Sequence, residues 1–407
     1  MTKQQWQWLF VLIIVFFLII LITIMIVMII IIFKNDIKSM VQHFHRRKDK
    51  YQWSKLKSPG IIIPYNEKIS IQRKYNKIDK QFNGYLKNST IFVAISSFRD
   101  KELCLTIEDL FSKAMVPERV FVGIVQQNDY KNDEPCCFAE NSNISQYLKS
   151  YNLRILTWHY SKAKGPTYAR SFCERLWNNE DYFMQIDSHM RFEYGWDCAL
   201  IHMLFQTPRP YKTVITMYPE GYERIEDKKG NVIYKVAVRK GWRRERFKYF
   251  NKQGIVEFES VTTNEKIPDQ PQFVPFWAAC FSFAHSNVLK EVPYHPDTPF
   301  LFFGEEIFMT ARLFTHGWDL KGPTFSVVYH LWKRDYRPTY WSQDKIDLRD
   351  KSIQLVHDHL LGKRNDLIYS SVLTIGNERS LEEFWNYVGL DPINKTKIRP
   401  SDPWTPF

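Results

Sequence analysis

The sequence predicts an α/β fold with an open sheet that is parallel at its centre, carried behind a single transmembrane helix. Two observations support the sheet. From Thr90 onward short apolar runs alternate with helical stretches, and the run from Tyr182 to Ile186 is long enough for a central buried strand. A third observation supports the helix, because residues 9–33 carry neither a charge nor a proline.

The N-terminus is predicted to be a membrane anchor. A short tail, residues 1–8, leads into residues 9–33, which read LFVLIIVFFLIILITIMIVMIIIIF and are long enough to cross a bilayer with some tilt. A cleaved signal peptide would have a shorter apolar core and a small-residue exit site, and the sequence shows neither. We therefore predict a retained single-pass anchor.

Two features of the sequence disagree about the orientation of this anchor. One basic residue, Lys3, precedes the span and several follow it closely, which by charge counting places the rest of the chain in the cytosol. Sequons for N-glycosylation begin at Asn88, Asn143 and Asn394, and they have a use only in a lumenal domain. Sequons are frequent by chance in an Asn-rich chain, so the residues alone leave the orientation open.

Residues 34–89 are predicted to form a basic stem. The chain has a formal net charge of +12, and this segment holds part of it without any hydrophobic periodicity. Attraction to anionic lipid headgroups is an alternative role for its lysines and arginines. No recognised nucleic-acid-binding motif accompanies the charge, so we predict no nucleic-acid partner.

The cysteines show no pattern typical of zinc. They are Cys104, Cys136, Cys137, Cys173, Cys198 and Cys280, and no two of them form a CxxC pair. An even number permits disulfides in a lumenal compartment, but their pairing cannot be deduced from sequence.

Residues 90–345 are predicted to form the main α/β domain. IFVAISSFRD is its first strand, a helix follows through Ile107 to Ala114, and RVFVGIVQQND is the second strand. A strand from Leu153 to Trp158 and a helix from about Thr167 to Trp177 precede the strand that ends at Asp187. Such βαβ alternation is typical of a nucleotide-binding sheet.

Two segments depart from this alternation. The stretch from Tyr218 to Pro271 is irregular and basic, which is typical of a solvated loop; the alternative is a lid over a binding site. Residues 346–407 are predicted to be a C-terminal helical extension, in which Ser380 and Glu383 have the spacing of a capping box.

The triplet Asp187-Ser188-His189 is the first candidate for chemistry. A carboxylate and an imidazole two residues apart, just past the end of a buried strand, can hold one divalent cation together. The spacing also arises by chance, but ligands of open α/β sheets bind outside the carboxyl ends of the strands. The context therefore favours a metal-assisted transferase.

Two further groups follow later in the chain. Glu305 and Glu306 begin a predicted helix after Gly304; they suit the helix dipole, and the glycine would also let a ligand approach the backbone closely. His330 ends another β-branched run and precedes Lys333, Arg334 and Arg337. A lone histidine there is usually packed in the core, yet it could complete a metal site beside cations that hold a departing diphosphate.

These blocks, in this order, resemble glycosyltransferase family 60, the polypeptide α-N-acetylglucosaminyltransferases. The similarity runs from Ile91 to about Pro392 and is carried by IFVAISSFRD, TIEDLFSKAMVPERVFVGIVQQ, GPTYAR, DYFMQIDSHMRFEYGWD, FLFFGEEIFMTARLFTHGWD and VVYHLW. The DSH triplet is also similar to that of the polypeptide N-acetylgalactosaminyltransferases. The chain departs from the family mainly in its basic segment, so acceptor choice is the least transferable inference.

The resemblance implies a GT-A fold that uses UDP-GlcNAc with Mn²⁺ or Mg²⁺ and retains the anomeric configuration. The implied metal ligands are Asp187, His189 and His330. Ser96 and Arg99 would face the nucleotide, with Arg170 beside it. Glu305 or Glu306 would bind the donor sugar or orient the acceptor hydroxyl, and one of them should be the general base if the reaction inverts.

The resemblance also implies a partner and a location. The acceptor would be a threonine, serine or hydroxyproline hydroxyl of a protein or glycoprotein, and the anchor resembles that of type II Golgi enzymes with a lumenal catalytic domain. Three alternatives stay open: the same fold with another UDP-sugar, a membrane-anchored carbohydrate-binding protein without turnover, and a membrane-tethered metal hydrolase.

Overall fold

The structure, a computed structural model, describes residues 65–133, 152–226, 232–236, 242–263, 268–334, 336–340, 345–363 and 370–398. The predicted anchor at residues 9–33, the stem up to residue 64 and the sequon at Asn143 lie outside these ranges and stay predictions. Within the ranges, no helix has both the length and the apolar character needed to cross a membrane.

Eight strands form the main sheet, and the four on one side of it run parallel. In spatial order they are β11 (Gln272–Phe273), β13 (Asp319–Gly322), β6 (Thr213–Thr216), β12 (Phe281–His285), β4 (Tyr182–Asp187), β1 (Ile91–Phe98), β2 (Val120–Asn128) and β3 (Leu153–His159). Strands β4, β1, β2 and β3 run parallel, whereas β12 is antiparallel to both of its neighbours. The predicted α/β fold is confirmed, with a mixed sheet.

The helices alternate with these strands much as the sequence predicts. The α-helices are α1 (Tyr65–Gln81), α2 (Tyr85–Asn88), α3 (Glu102–Lys113), α4 (Pro166–Glu174), α5 (Trp196–Phe205), α6 (Val288–Glu291), α7 (Glu305–Thr315), α8 (Ile346–Leu360) and α9 (Leu381–Val388). Short 3₁₀ turns lie at Pro117–Arg119, Tyr160–Lys162, Pro210–Lys212 and Ser371–Leu373. Helix α4 starts at Pro166, where the missing N–H costs nothing because the first turn has no acceptor for it.

A smaller sheet lies at the end of β4, and it corrects one prediction. Its order is β5 (Met190–Phe192), β14 (Val328–His330), β7 (Glu220–Glu226) and β8 (Val232–Val236). Strands β9 (Trp242–Phe250) and β10 (Val256–Thr263) pair as an antiparallel ribbon. The stretch from Tyr218 to Pro271 is therefore strand-rich wherever the structure describes it, and the solvated-loop interpretation was wrong for those residues. Its basic side chains had masked the β-branched and aromatic residues that pair across the ribbon.

Two apolar clusters hold the domain together. One lies between the main sheet and its helices and includes Phe92, Trp277 and Trp318. The other joins β10 and α7 to the C-terminal helices through Val356 and Phe384. The predicted helical extension thus packs into the domain, and it also contains a short hairpin, β15 (Leu390–Asp391) with β16 (Thr396–Lys397).

The predicted capping box at the start of α9 is confirmed. The Ser380 hydroxyl accepts from the Glu383 backbone N–H at 3.0 Å, and the Glu383 carboxylate accepts from the Ser380 N–H at 2.5 Å. Each bond satisfies a backbone donor that the first helical turn leaves without an intrahelical partner.

Residues 65–89 differ from the predicted stem. They form α1 and α2, in which Tyr75 and Leu86 are buried against the domain. Arg119, itself fully buried, donates from Nη1 to the Leu86 and Ser89 carbonyls and from Nη2 to Asp197 Oδ2 at 2.9 Å. Widely spaced apolar residues among many lysines concealed this packing in the sequence.

Arg119→Met is expected to destabilise the fold strongly. The substitution leaves the Asp197 carboxylate buried without its cation, and breaking such a pair typically costs about 3–5 kcal/mol. Urea unfolding followed by circular dichroism measures the loss. Arg209→Met is the matched control, because Arg209 is 45% exposed in its 3.8 Å pair with Asp319 and should cost less than about 1 kcal/mol. Equal losses in the two variants would contradict the buried anchoring role.

Candidate active site

The candidate site is a cleft at the carboxyl ends of β1 and β4. Ser96 and Asp187 are register partners there, so the ends of the two central strands open on the same edge of the sheet. The cleft has a volume of about 310 Å³, within the range typical of small-molecule sites. Aromatic side chains contribute much of its lining, among them Phe98, Phe258, Phe302, Phe303, Trp332 and Tyr340.

Asp187, His189 and His330 meet on one side of this cleft. Strand β14 pairs antiparallel with β5 so that His330 lies opposite Met190, directly after the Asp-Ser-His turn. Asp187 Oδ2 lies 3.2 Å from His330 Nε2 and 3.8 Å from His189 Nε2. One ligand atom from each of the three residues falls within 4.8 Å of the others, which is close enough to share one cation.

The donor set of these three residues fits a divalent cation. His189 Nε2 is buried and has no hydrogen-bond partner among the described residues, while its Nδ1 lies 2.9 Å from Asp100 Oδ2. A carboxylate on one ring nitrogen fixes the tautomer in which the other nitrogen keeps its lone pair, the arrangement typical of metal-binding histidines. Two imidazoles and one carboxylate suit Mn²⁺, and Mg²⁺ less well because it prefers oxygen ligands.

The protonation states of the triad also suit a cation. Burial opposes the charge of Asp187, but the hydrogen bond from His330 and the nearby Arg170 hold the pKa of this carboxyl well below its usual range. Burial lowers the pKa of His330 to about 4, against the opposing effect of Asp187. At neutral pH the carboxyl is therefore ionised and the His330 imidazole is neutral, the forms that bind metals.

Arg170 links the triad to the first glutamate of α7. Its Nη2 donates to Asp187 Oδ1 at 2.7 Å, and its Nη1 donates to Glu305 Oε1. The Tyr294 hydroxyl donates to the same Glu305 oxygen at 2.6 Å. No described residue donates to Glu305 Oε2, and Glu305 lines the cleft, so one oxygen of this carboxylate is available to a ligand.

Glu306 differs from Glu305 in its surroundings. Its Oε1 accepts from the Ala279 backbone N–H at 3.0 Å, and its Oε2 pairs with the Tyr218 hydroxyl. Burial raises the pKa of Glu306 to about 8, with a further contribution from the charge of Glu305. Both of its oxygens are engaged by the protein, which favours a positioning role.

Glu306→Gln is expected to make stability less dependent on pH. Because the pKa of Glu306 is about 8 in the folded protein and its usual value is 4.5, the folded protein binds more protons than the unfolded chain between these values. Stability therefore falls as pH rises through this window, and the glutamine variant lacks that contribution. Between about pH 5 and about pH 8, we expect the melting temperature to drop less for the variant than for the wild type. Each kcal/mol of difference in the free energy of unfolding shifts the melting temperature by about 2–4 °C. Parallel curves for the two proteins would contradict the raised pKa.

The helix that carries these glutamates starts at a glycine with an unusual backbone. Gly304 has a φ of 107° and lies in the lining of the cleft. L-residues with a side chain are strained in this region, so glycine lets the chain turn from Phe303 directly into Glu305. The structure thus gives the glycine a conformational reason, in addition to the predicted close approach of a ligand.

The other predicted nucleotide contacts divide into two groups. Ser96, Arg170 and Arg334 line the cleft. Arg99 and Lys333 are not part of the lining. Arg99 donates to both oxygens of Asp133 at 2.8–3.0 Å and stacks on Tyr160, and Lys333 is exposed. Their place beside the nucleotide stays a prediction.

The structure adds residues that the sequence did not single out. Asp100 holds His189, and Tyr218 holds Glu306. Asp100 closes the IFVAISSFRD block, and its position after a buried strand was the available signal. The ribbon residues Val256, Glu257 and Phe258 also reach the cleft, and no local pattern marked them.

Comparison with known proteins gives one family match. The family model described as Glycosyltransferase (GlcNAc) matches residues 90–150 and 139–394, which together are well over half of the chain. A search of curated protein sequences finds no match.

Solved structures show more distant similarities. A structure of GalNAc-T7 with UDP, GalNAc and Mn²⁺ is 12% identical with a TM-score of 0.49, over 84% of this chain and 65% of that one. This chain therefore spans slightly less than two thirds of the GalNAc-T7 chain. S. aureus TarS 1–349 in complex with UDP-GlcNAc is 10% identical with a TM-score of 0.42, over 70% of each chain.

Proposed function

The chain belongs to the GlcNAc glycosyltransferase family, and from this premise we propose that it transfers N-acetylglucosamine from UDP-GlcNAc to a hydroxyl group of a protein or glycoprotein. We also propose that the reaction depends on a divalent cation, Mn²⁺ or Mg²⁺, and that the domain is of the GT-A type. The finer resemblance to family 60 supports the choice of a polypeptide acceptor. That choice is part of the proposal.

One observation carries the proposal. Asp187, His189 and His330 converge at the end of the central strands, and the free Nε2 of His189 is left for a ligand. A cation held by these side chains would neutralise the diphosphate of a UDP-sugar as UDP leaves. Arg334 and Arg337 line the same cleft and supply further positive charge for the phosphate oxygens.

Glu305 is the proposed contact to the reacting sugar. Its free Oε2 can accept a hydrogen bond from a hydroxyl of the donor sugar or of the acceptor, while Arg170 and Tyr294 fix the other oxygen. Glu306 would position the start of α7 rather than touch substrate. We propose retention of configuration; if the product anomer proves inverted by NMR, Glu305 becomes the candidate general base.

The acceptor is proposed to enter between the ribbon and the exposed aromatic side chains. Phe303 and Trp332 are 44% and 39% exposed, and both line the cleft together with Val256 and Phe258 of β10. Exposed aromatic rings beside a cleft are typical of surfaces that bind sugars and extended peptides. This placement favours the lid interpretation of the basic segment.

A lumenal catalytic domain behind a Golgi anchor is the proposed location. Cys104 is disulfide-bonded, which supports an oxidising compartment. Asn394 is exposed in the turn between β15 and β16, where a glycan would meet no obstruction from the fold.

We therefore expect Asn394 to carry an N-linked glycan when the full chain is made in eukaryotic cells. Digestion with an endoglycosidase should lower the mass of the protein. In Asn394→Gln, the decrease should be smaller by the mass of one glycan. Asn132→Gln, outside any sequon, is the control. A full chain whose mass is insensitive to the endoglycosidase would contradict the lumenal orientation.

A panel of UDP-sugars tests the proposed function. The purified full chain is incubated with Mn²⁺ and UDP-GlcNAc, UDP-GalNAc or UDP-glucose, and the release of UDP is measured. We expect UDP from UDP-GlcNAc, because glycosyltransferases commonly transfer some donor to water. Release from a different donor alone would replace the sugar and keep the transferase. No release from any donor by a folded protein would favour the carbohydrate-binding alternative, and hydrolysis of esters without any UDP-sugar requirement would favour the hydrolase.

A further inference from the structure

Asp100 is a buried carboxylate at the end of β1 with an unusual number of partners. Its side chain is completely buried. Oδ2 accepts from the Ser188 hydroxyl at 2.7 Å and faces His189 Nδ1 at 2.9 Å. Oδ1 accepts from the Tyr336 hydroxyl at 3.0 Å, and the Arg337 guanidinium lies 3.2 Å from Oδ2. Every side-chain partner belongs to one of two segments that flank the cleft.

The first of these segments is the Asp-Ser-His turn, which carries two members of the triad. The second is the stretch from Leu331 to Tyr340, which follows β14 and which we call the 331–340 segment. It brings Trp332 and Arg334 to the cleft. Its attachment to the body of the domain includes the Tyr336 and Arg337 contacts to Asp100 and the Arg337 bond to the Phe98 carbonyl. One carboxylate therefore touches both the Asp-Ser-His turn and the 331–340 segment.

We propose that Asp100 is a positioning residue that couples cation binding to the docking of the 331–340 segment. This inference rests on the proposed function, because it takes the triad to be a cation site. The carboxylate sets the His189 ring so that Nε2 points to the cation, and the same carboxylate fastens Tyr336 and Arg337. Loss of either attachment leaves the carboxylate incompletely hydrogen-bonded in a buried position, which disturbs the other.

The coupling has to act in both directions. If the docked segment improves the orientation of His189, then a bound cation must in turn stabilise the docked segment by the same factor. Lys333 and Arg334 lie in this segment and are trypsin sites, so docking can be followed by the rate of cleavage after them. Cation affinity and cleavage rate are thus two readouts that need no turnover.

Tyr336→Phe is the decisive variant, because it removes one hydroxyl at the far end of the contact and leaves all three proposed ligands intact. Mn²⁺ affinity of the full chain is measured by electron paramagnetic resonance without nucleotide. We expect affinity to fall about three- to tenfold, which corresponds to the net contribution of one typical hydrogen bond. Mn²⁺ should slow cleavage after Lys333 and Arg334 in the wild type and much less in the variant.

Two other variants complete the test. Asp100→Asn should weaken Mn²⁺ binding about 10- to 100-fold, the usual effect of losing the group that orients a metal-binding histidine. Tyr130→Phe, the same chemical change at a tyrosine that is 61% exposed, should leave both readouts unchanged. If Asp100→Asn fails to fold, Tyr336→Phe decides alone.

The outcomes separate this inference from the proposed function. A folded wild type that binds no Mn²⁺ refutes the proposed cation site, and it also refutes the coupling, which depends on that site. A wild type that binds Mn²⁺, together with a Tyr336→Phe variant indistinguishable from Tyr130→Phe in affinity and cleavage, overturns the coupling alone. Weaker binding with faster cleavage in Tyr336→Phe supports it.

Discussion

Asp187→Ala is expected to abolish Mn²⁺ binding and to lower the rate of UDP release by about a thousandfold, the scale of losing a central electrostatic group in an active site. Asp187 is the carboxylate of the triad, and its oxygens lie within 4 Å of His189, His330 and Arg170. Without it, two neutral imidazoles have to hold the cation beside an Arg170 guanidinium that has lost one of its two carboxylate partners. Mn²⁺ titration and a UDP assay on the same preparation measure both losses.

The control for this variant is Asp350→Ala. Asp350 lies on α8, away from the cleft, with its side chain 57% exposed, so the substitution removes an aspartate of ordinary surface character. Its Mn²⁺ affinity and UDP release should match the wild type. If Asp187→Ala is folded and keeps both its cation affinity and its rate, the triad is not the cation site.

Glu305→Gln is expected to have the second-largest effect, a fall in kcat of about a hundredfold with a smaller change in KM. The substitution removes one of the two negative charges that balance Arg170, and it replaces one carboxylate oxygen by an amide NH₂ group, which cannot accept a hydrogen bond. Since Oε2 is the free oxygen at the cleft, the loss should appear mainly in the reacting complex. Steady-state kinetics with UDP-GlcNAc separate kcat from KM.

Glu306→Gln is the matched comparison, because it makes the same change at the adjacent residue. Both oxygens of Glu306 are occupied by protein donors, and its raised pKa makes a neutral glutamine a close substitute. We expect a loss of less than about tenfold in kcat. A larger loss for Glu306→Gln than for Glu305→Gln would reverse the roles assigned to the two glutamates.

The strands and the polar residues that follow them were predictable, because both are recognised from residues adjacent in sequence. Buried parallel strands such as β1 and β4 need continuous apolar β-branched runs, and polar residues just after them fall at the ligand-binding edge of a sheet. That rule points to Asp187 and His189 from a few adjacent residues. It also points to His330, and the pairing of β14 with β5 explains why a residue so distant in sequence joins them.

The contacts between elements were not predictable, because nothing local encodes them. The side-chain partners of Asp100 come from two separate parts of the chain, and their meeting depends on where the segment after β14 lies. Lys333 and Arg334 are adjacent cations that sequence reasoning treated alike, yet only Arg334 lines the cleft. Arg119 begins the predicted second strand, and no local pattern marks it as the buried anchor of α2.

The sequence did not predict the ribbon or the two N-terminal helices, for a related reason. Their apolar residues are sparse among lysines and arginines, so neither a period of two nor one of 3.6 residues stands out. Burial of residues such as Tyr75 and Phe258 depends on surfaces supplied by the rest of the domain. Charge composition alone therefore overstated how much of the chain is solvated.

UDP release from UDP-GlcNAc by the full chain, measured before chelation, after chelation and after Mn²⁺ is added back, tests the central claim most directly. The account predicts that release stops when the cation is removed, returns when Mn²⁺ is restored, and stays absent in Asp187→Ala under all three conditions. Release that continues in the presence of chelator, at the same rate in the wild type and in folded Asp187→Ala, would contradict a cation held by Asp187, His189 and His330.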